Sequence, residues 1–442
     1  MINPTTPSET RIGIYADDLT GALDAAAPFT AAGMSVYVSV FGVVPDDDAR
    51  SHRVLSLNID TRHADRFPVF DRAARAAQEL RAAGFTLLVN KIDSTLRGHA
   101  GMEARAGLTQ EPSDPSDTDR QGVWSGPRLA LMAPSFPAMG RTVIGGRVLV
   151  DGVPLAESEV GRDPFSPVPG SEIGELVERN TGIRPVPVTL GAVRDSGRLR
   201  AAISEMMDSP PVLAVCDAVS DDDLTAIATA GIEARGDIVL SGSAGITNAL
   251  ARALSGDVDA VGPGQSTSAR STPALIISGS QRTVTERQLE MASSGESAEW
   301  LQLDPGTLLD DEAVRGTRDQ AVARAVNALE EGRNIAISLT RTTGEESIDV
   351  EDGVKLVREL GAISYRITRR TRPGALVIIG GDTAQSVLRA GGAAGIVLHD
   401  EPFPGVPAGT IDGGLLDGVR VVTKAGAFGD EDVLVKVIDC LS

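Results

Sequence analysis

The chain alternates short apolar runs with longer stretches in which Ala, Leu and Arg recur at helical spacing. The apolar runs are near-continuous in Val, Ile and Leu, as expected of strands that are covered on both faces of a parallel sheet. They predict strands over 11–16, 35–41, 54–59, 86–90, 129–133, 212–216 and 238–240, and then over 274–277, 300–303, 334–339, 375–379, 396–399 and 419–422. Helices are predicted between the strands, among others over 70–83, 312–331 and 352–368.

This alternation predicts an α/β fold. At 442 residues the chain is too long for one compact core, so we expect two domains, each a mainly parallel sheet flanked by helices. The stretch 255–272 is rich in Gly, Ser and Pro and separates the two series of strands. It predicts an N-terminal domain over 1–255, a linker over 256–272 and a C-terminal domain over 273–442. A second polar stretch, 111–127, is interpreted as a surface loop of the first domain.

The charge balance narrows the choice of partners. The formal net charge is −20, from 41 basic and 61 acidic residues, and such a surface repels nucleic acid and anionic membranes. No window approaches the length of an apolar membrane span, and the N-terminus lacks the basic start and apolar core of a signal peptide. We therefore expect a cytoplasmic protein that binds neither nucleic acid nor membrane, and the sequence leaves open whether it forms a homo-oligomer.

Polar side chains follow several predicted strands of the first domain, where ligands bind in open α/β sheets. Asp17 and Asp18 end the first strand, and Thr20 is placed to cap the next helix. Adjacent carboxylates at this position bind substrate hydroxyls, hold Mg²⁺ or act as a base; alternatively, one of them only caps the helix.

The fourth strand leads into a dense polar segment, and the third strand into a smaller one. The residues concerned are Lys91, Asp93, Ser94, Thr95, Arg97 and Gly98 after the fourth strand, and Asp60 and Arg62 after the third. Lysine and the arginine fork suit a carboxylate or phosphate ligand, whereas the plainer alternative is a surface salt-bridge cluster. Downstream, Pro and Gly punctuate 133–165, which predicts a long irregular segment.

Glycine-rich turns follow three strands of the second domain. Glycine lets the backbone approach a ligand, and free N–H groups at a helix start favour phosphate, so three such turns predict nucleotide phosphate binding. The candidate residues are Ser278 and Ser280, then Gly380, Gly381, Asp382 and Thr383, and finally Lys424, Gly426 and Gly429. The segment 401–407 is interpreted as a rigid loop that walls an adenine pocket.

Several common signatures are absent from the sequence. No lysine is followed by Ser or Thr, so there is no Walker A motif, and no G-x-G-x-x-G indicates a dinucleotide site. The four histidines show no metal-ligand spacing, and no residue is predicted to ligate a metal directly. Cys216 and Cys440 are too few for a disulfide framework and are predicted to be buried thiols.

Taken together, these motifs resemble the four-carbon acid sugar kinase family. The resemblance rests on ADDLTGA at 16–22, KIDSTLRG at 91–98, APSFPAMGRT at 133–142, GSAG at 242–245, GGDTA at 380–384, PGVP at 404–407 and TKAGAFGDED at 423–432. It implies an N-terminal domain that binds the acid sugar and a C-terminal domain that binds ATP. For phosphoryl transfer from ATP we also expect Mg²⁺, with Asp17 and Asp382 as candidates to steady the ion or its waters.

Within such a kinase we infer roles for individual residues from their chemistry, with Asp18, Asp93 and Lys91 as the candidate catalytic residues. Lys91, Arg97 and Arg62 would hold the substrate, Asp18 or Asp93 would take the proton of the attacking hydroxyl, and Lys424 would offset phosphate charge. The two-domain layout suggests an active site in the cleft between the domains, which closes on its ligands. Two alternatives stay open: a nicotinamide-linked oxidoreductase acting on a similar acid, and a non-catalytic sugar-acid sensor.

Overall fold

The computed structural model describes residues 10–45, 47–109, 128–162, 168, 170–208, 212–234, 238–255, 273–341 and 348–441. The chain divides into two compact units. The first comprises Met1–Ser35 and Phe41–Ala260, and the second comprises Val36–Val40 and Val261–Ser442. The polar stretch 111–127 and the predicted linker 256–272 lie outside the described residues.

The strands, in chain order, are β1 (Ile12–Ala16), β2 (Val36–Ser39), β3 (Val54–Asn58), β4 (Leu87–Lys91), β5 (Leu129–Ala133), β6 (Arg141–Ile144), β7 (Arg147–Val150), β8 (Val153–Pro154), β9 (Val186–Val188), β10 (Val212–Cys216), β11 (Ile238–Gly242), β12 (Ala274–Ser278), β13 (Glu299–Leu303), β14 (Ile335–Leu339), β15 (Ala375–Ile379), β16 (Gly395–Phe403), β17 (Val406–Asp412) and β18 (Arg420–Lys424). Every predicted strand is present. Most ends agree within two residues, and β16 runs further than predicted, to Phe403.

The helices are α1 (Leu19–Ala31), α2 (Asp47–Ser51), α3 (Arg66–Ala82), α4 (Met102–Ala106), α5 (Ile173–Thr181), α6 (Leu190–Val193), α7 (Ser196–Met207), α8 (Asp221–Glu233), α9 (Ala244–Ser255), α10 (Thr283–Ser294), α11 (Pro305–Leu309), α12 (Val314–Glu330), α13 (Val350–Thr368), α14 (Gly381–Ala390) and α15 (Val433–Leu441). Short 3-10 helices span Pro137–Met139, Leu155–Glu157 and Gly414–Leu416. No helix in the described part of the chain is both long enough and apolar enough to span a membrane.

The first unit is built on seven parallel strands in the order β3-β1-β4-β11-β5-β10-β9. All five residues of β1, β3, β4, β5 and β11 are buried, which explains why these strands read as continuous apolar runs. Burying such a side chain contributes roughly 1.5–3 kcal/mol, so the central strands hold their C-terminal ends in fixed positions.

The second unit orders its strands β13-β14-β12-β15-β18-β17-β16-β2. The first five are parallel, and β17, β16 and β2 continue the sheet with antiparallel pairing. Apolar residues of β12, β15 and β18 pack against α10 and α15 in one core, which includes Ile276, Val377, Leu289 and Leu434. The α/β class with mainly parallel strands is therefore confirmed.

Three details differ from the sequence-based expectations. The strand β2 lies in the segment Val36–Val40, which groups with the second unit, although its neighbours along the chain belong to the first. The run 133–165 is not irregular throughout, since β6, β7 and β8 form an antiparallel sheet within it. Cys216 is buried as predicted, whereas Cys440 is exposed because it lies on the outer face of α15.

Candidate active site

The loops after β3, β1 and β4 meet at one edge of the first unit's sheet. These strands are parallel neighbours, and Ala16 lies opposite both Asn58 and Lys91. The backbone N–H of Asp17 donates to the carbonyl of Lys91 at 3.3 Å, and the N–H groups of Thr61 and Arg62 donate to the carbonyl of Asp17 at 2.9 and 3.1 Å. The structure thus brings together the three polar segments of the first domain that the sequence singles out.

Arg62 connects the two aspartates at the end of β1. Its Nε and Nη2 donate to the two oxygens of Asp17, both at 2.8 Å, and its Nη1 donates to Asp18 Oδ2 at 2.5 Å. The Asp17 side chain is only 3% exposed, and that of Arg62 is 12% exposed. A buried fork of this kind has both charge and directionality, so it fixes both carboxylates in place.

Asp18 is also the N-cap of α1, because its Oδ1 accepts from the backbone N–H of Gly21 at 2.7 Å. The capping alternative noted from the sequence is therefore present alongside the contact with Arg62. A methyl group placed at Gly21 would lie 2.6 Å from Asp18 Oδ1 and 3.1 Å from Lys91 Nζ. The absence of a side chain at position 21 leaves room for the aspartate and the lysine to approach the helix start.

Lys91 is the last residue of β4 and is 4% exposed. Among the described residues its Nζ donates to the carbonyl of Ile92 at 3.0 Å. An ammonium has three N–H donors, so this bond leaves two for a ligand. A buried cation beside two carboxylates is well placed to receive an anionic group.

Asp93 is enclosed by its own loop. Arg97 donates through Nε and Nη2 to its two oxygens at 2.7 and 2.9 Å, and the Thr95 hydroxyl also donates to it. Burial raises the pKa of Asp93, but the hydrogen bonds and charge of Arg97, with Arg62 and Thr95, outweigh it and hold the pKa well below the ordinary range. This carboxyl therefore has little affinity for a proton.

The other predicted residues of this group lie in the same loops. Asp60 has a φ of 54°, and its backbone N–H donates to Asn58 Oδ1 at 3.1 Å, so it forms a tight turn before Arg62. A methyl group at Gly98 would lie 3.6 Å from the Cα of Arg62, which places the end of the Lys91–Gly98 segment against that turn. Ser94 is half-buried between Asp93 and Thr95.

Two acids near this cluster are not among the residues predicted from the sequence. Glu103 on α4 is 1% exposed, and its Oε1 accepts from the Thr61 hydroxyl at 3.3 Å. Asp24 lies on α1, one turn after Gly21 on the same helix face, and burial, reinforced by Asp18 and Asp93 and opposed by Lys91, raises its pKa. The sequence feature that could have indicated such a residue is a single carboxylate in an otherwise apolar stretch, as in Gly21-Ala22-Leu23-Asp24-Ala25.

In the second unit, three glycine-rich turns follow neighbouring parallel strands. Ser278, Ile379 and Lys424 are opposite one another at the ends of β12, β15 and β18. The next helices, α10 after β12 and α14 after β15, begin within a few residues, so their first N–H groups lie at this edge. The predicted residues Gly380, Gly381, Asp382, Thr383, Gly426 and Gly429 all lie in these turns or in the first turn of α14.

Close packing explains the glycines of this cradle. A methyl group at Gly279 would overlap the hydroxyl of Thr383, and one at Gly426 would overlap the hydroxyl of Ser280. Gly380 has a φ of 106°, which only glycine adopts readily. The backbone and two hydroxyls therefore line a narrow space.

Buried hydroxyl and amide groups support the cradle from behind. Ser280 Oγ lies 2.9 Å from Thr285 Oγ1, which donates to the Gly426 carbonyl at 2.8 Å. Gln288, also on α10, donates to the carbonyls of Phe428, Gly429 and Asp430 at 3.2, 3.1 and 2.9 Å. Thr285 and Gln288 were not predicted from the sequence, because neither lies in a glycine-rich turn.

Lys424 ends β18 and is 4% exposed. Its Nζ donates to the carbonyls of Ala425 and Phe428 at 2.9 and 3.0 Å. Burial lowers the pKa of this lysine to about 8. An anion bound beside the Lys424 ammonium would favour its protonated form, which burial alone disfavours.

The segment 401–407 was predicted to be a rigid loop, but most of it is strand, with a tight turn between β16 and β17. Glu401 Oε1 accepts from the Gly405 backbone N–H at 2.6 Å, and a methyl group at Gly405 would overlap the Phe428 ring. The turn therefore packs against the loop that holds Lys424.

The cradle fits a nucleotide phosphate by its chemistry. It combines close-approach glycines, two helix starts, a buried lysine and Ser278, whose buried Oγ has no hydrogen-bond partner among the described residues. No group of three or more His, Cys, Asp or Glu side chains in the described part of the chain is arranged to hold a metal ion. Asp382 in the first turn of α14 is an exposed carboxylate beside the cradle.

Comparison with known proteins identifies the family of both halves of the chain. Residues 12–250 match a model described as a sugar-binding N-terminal domain, and residues 275–434 match a nucleotide-binding C-terminal domain. A D-threonate kinase of Bordetella bronchiseptica is 32% identical over 97% of each chain, and a D-threonate kinase of Salmonella typhimurium is 30% identical over 95% of this chain and 96% of that protein.

The fold has a solved counterpart. A Salmonella typhimurium LT2 protein of known structure superposes with a TM-score of 0.75, at 22% identity, over 97% of this chain and 98% of that one. Both domain models match, and the curated relatives span nearly the whole chain and are kinases. The chain is accordingly a kinase and belongs to the four-carbon acid sugar kinase family.

Proposed function

We propose that this protein uses ATP to phosphorylate a hydroxyl group of a small four-carbon acid sugar such as threonate, erythronate or 2-oxo-tetronate. The observation that carries the proposal is the buried arrangement of Lys91, Arg62, Asp17 and Asp18 at one edge of the first unit's sheet. A substrate with a carboxylate and neighbouring hydroxyls needs both cations and hydrogen-bond acceptors, and this edge offers both. The names of the two D-threonate kinases support threonate as the first acid to test.

The first unit holds the acid sugar in this proposal. Lys91 offers two free N–H donors to the substrate carboxylate or hydroxyls, and Arg97 and Arg62 add positive charge. Asp60, Ser94, Thr95 and Gly98 shape the two loops around them. Asp18, half-buried at the start of α1, accepts the proton of the attacking hydroxyl, because the Arg97 fork leaves Asp93 with little affinity for a proton.

The second unit holds the nucleotide. ATP supplies the phosphoryl group, and Mg²⁺ accompanies its phosphates. Hydroxyl and backbone groups of the cradle bind the phosphate oxygens: Ser278, Ser280, Gly380, Gly381, Thr383, Gly426 and Gly429. Lys424 offsets phosphate charge, and Asp382 steadies the Mg²⁺ waters.

The test is ADP formation from ATP and Mg²⁺ in the presence of D-threonate, L-threonate, D-erythronate, L-erythronate and 2-oxo-tetronate, each against a reaction without acid. We expect at least one acid to stimulate ADP release, and ³¹P NMR of the product then identifies the phosphorylated hydroxyl. Parallel reactions with NAD or NADP test the oxidoreductase alternative by absorbance. Ligand binding without ADP release from any acid would instead favour the sensor and contradict the proposal.

A further inference from the structure

Glu103 is a fully buried acid with half of its hydrogen-bonding capacity unused. Its Oε1 accepts from the Thr61 hydroxyl at 3.3 Å, while its Oε2 has no partner among the described residues. The short helix α4 is tied to β1, because the Tyr15 hydroxyl donates to the backbone carbonyl of Glu103 at 3.3 Å. A buried anionic oxygen without a donor is unfavourable, so the uncharged acid suits this position better than the carboxylate.

Burial and the nearest carboxylate also favour the uncharged form of Glu103. Burial and then the charge of Asp17 raise its pKa to about 8, against its own backbone hydrogen bond, Thr61 and Arg62. Tyr15 of β1 lies beside Glu103, and the positive charge of Arg81 on α3 interacts with Tyr15. The strands β5 and β11 bring no titratable side chain to α4, and the charged residues of α5 are exposed: Glu175, Glu178 and Arg179.

Thr61 connects this acid to the reaction site. Its hydroxyl bonds to Glu103, and its backbone N–H donates to the Asp17 carbonyl at 2.9 Å. The next residue is Arg62, and the preceding Asp60 has the left-handed φ of 54°. A change at Thr61 therefore moves the turn that directs the Arg62 guanidinium.

We propose that Glu103 is a positioning residue which, as an uncharged acid, holds Thr61 and so keeps Arg62 on Asp17 and Asp18. This inference rests on the proposed function, because the reaction that it positions is the phosphorylation of the acid sugar. Once ionised, Glu103 repels Asp17 and competes with both aspartates for Arg62, which loosens the arrangement.

The first test compares pH profiles of kcat/KM for the acid sugar at saturating ATP. Glu103→Gln keeps the shape and the neutral state, so at pH 7 we expect an activity close to that of the wild type. The ratio of wild-type to variant kcat/KM should fall about tenfold between pH 7 and pH 9, following one ionisation. Lys424 titrates in both proteins, so its effect cancels in this ratio.

Two further variants separate positioning from general damage. Thr61→Val removes the hydroxyl that Glu103 holds, and we expect kcat/KM to fall about 10–100-fold at pH 7 with ATP affinity retained. Glu175→Gln changes an exposed acid on the neighbouring α5 and should leave the profile unaltered. A wild-type profile in Thr61→Val, or a ratio independent of pH for Glu103→Gln, overturns the proposal.

A second measurement needs no substrate. Because the folded protein binds the Glu103 proton more tightly than the unfolded chain, this group's stabilisation is present at low pH and is lost as pH rises towards about 8. The Tm of the wild type relative to Glu103→Gln should fall by roughly 5 °C between pH 5 and pH 8. If the two proteins have parallel curves of Tm against pH, the inference about Glu103 is wrong even if the enzyme is active. If no acid in the panel gives turnover, the proposed function is wrong, and the Tm comparison still decides whether Glu103 is uncharged.

Discussion

At the scale of single residues, Asp18 and Asp93 have different surroundings. Asp93 accepts both arms of the Arg97 fork and the Thr95 hydroxyl, and its pKa lies well below the ordinary range. Asp18 accepts one bond from a backbone N–H and one from Arg62. A base must gain a proton during the reaction, so the carboxyl whose oxygens accept fewer hydrogen bonds is the better candidate.

The first prediction concerns these two carboxyls. Asp18→Asn should lower kcat by about 10²–10⁴-fold and leave the KM for ATP nearly unchanged, since the nucleotide cradle is untouched. Asp93→Asn releases Arg97 and should act mainly by raising the KM for the acid sugar. Initial rates of ADP release measure both effects, with Asp71→Asn on the exposed face of α3 as the control. Near-normal kcat in Asp18→Asn would move the role of base to Asp93.

The second prediction concerns Lys424, whose pKa burial lowers to about 8. The protonated lysine is the form that attracts phosphate, so the KM for ATP should rise as pH increases through about 8. Lys424→Ala should raise that KM about tenfold or more at pH 7, or ~1.4 kcal/mol of binding. Lys436→Ala removes an exposed lysine paired with Asp432 and is the matched control. A KM for ATP that does not change between pH 7 and pH 9 would contradict this role.

The sequence identifies the polar residues that follow buried strands and misses those that lie behind them. Lys91 ends a strand, and Arg62 and Ser280 lie in the loops just after one, where a chemical role can be inferred from position. Glu103 and Thr285 lie inside helices, and their importance depends on which loop packs against them. Such contacts join residues far apart in the chain, and local pattern carries no information about them.

At the scale of elements, two dipeptides in the sequence mark the turns of the β6–β7–β8 sheet. The turn Gly145-Gly146 has φ values of 61° and 75°, and Asp151-Gly152 has 50° and 81°. Two central residues with positive φ form the turn that matches the twist of a hairpin, and Gly-Gly and Asp-Gly are its preferred sequences. The Asp217 carboxylate holds the first turn by accepting from the N–H groups of Gly145 and Gly146, both at 2.9 Å.

The third prediction tests the close approach within the nucleotide cradle. Gly426→Ala adds a methyl group that overlaps the Ser280 hydroxyl, which must leave its contact with Thr285. We expect a higher KM for ATP and a loss of ~1–3 kcal/mol in the free energy of unfolding, measured by denaturant titration.

Gly316→Ala is the matched control for this substitution. Gly316 lies within α12, and a methyl group there meets no atom within 4 Å. Helical alanine is preferred over glycine, so this variant should be more stable by about 0.5–1 kcal/mol at unchanged KM. Equal KM values for ATP in Gly426→Ala and the wild type would show that the nucleotide does not use this surface.

At the scale of the whole molecule, the sequence predicts two α/β halves but not the membership of β2. Its apolar run is typical of any buried strand, and its neighbours belong to the first unit. The pairing that decides its place is antiparallel to β16, more than 350 positions later, with Tyr37 donating to Asp412 at 2.6 Å. Strand propensity is local, whereas the choice of sheet depends on contacts across the chain.

The acidic balance of the chain bears on how its anionic ligands are held. A net charge of −20 disfavours anions at long range, so binding depends on cations concentrated at particular sites. The four lysines differ in their exposure. Lys91 and Lys424 are each 4% exposed at strand ends. Lys355 and Lys436 have side chains that are about half exposed and paired with acids, on α13 for Lys355 and just before α15 for Lys436.

This division gives a fourth prediction, which uses limited acetylation of the native protein followed by peptide mass spectrometry. Lys355 and Lys436 should be modified first, because acetylation requires access to the amine, and Lys91 and Lys424 should be spared until the protein unfolds. Kinase activity should persist while only the first two carry label. Early labelling of Lys91 with full retention of activity would contradict both its burial and its proposed contact with the acid sugar.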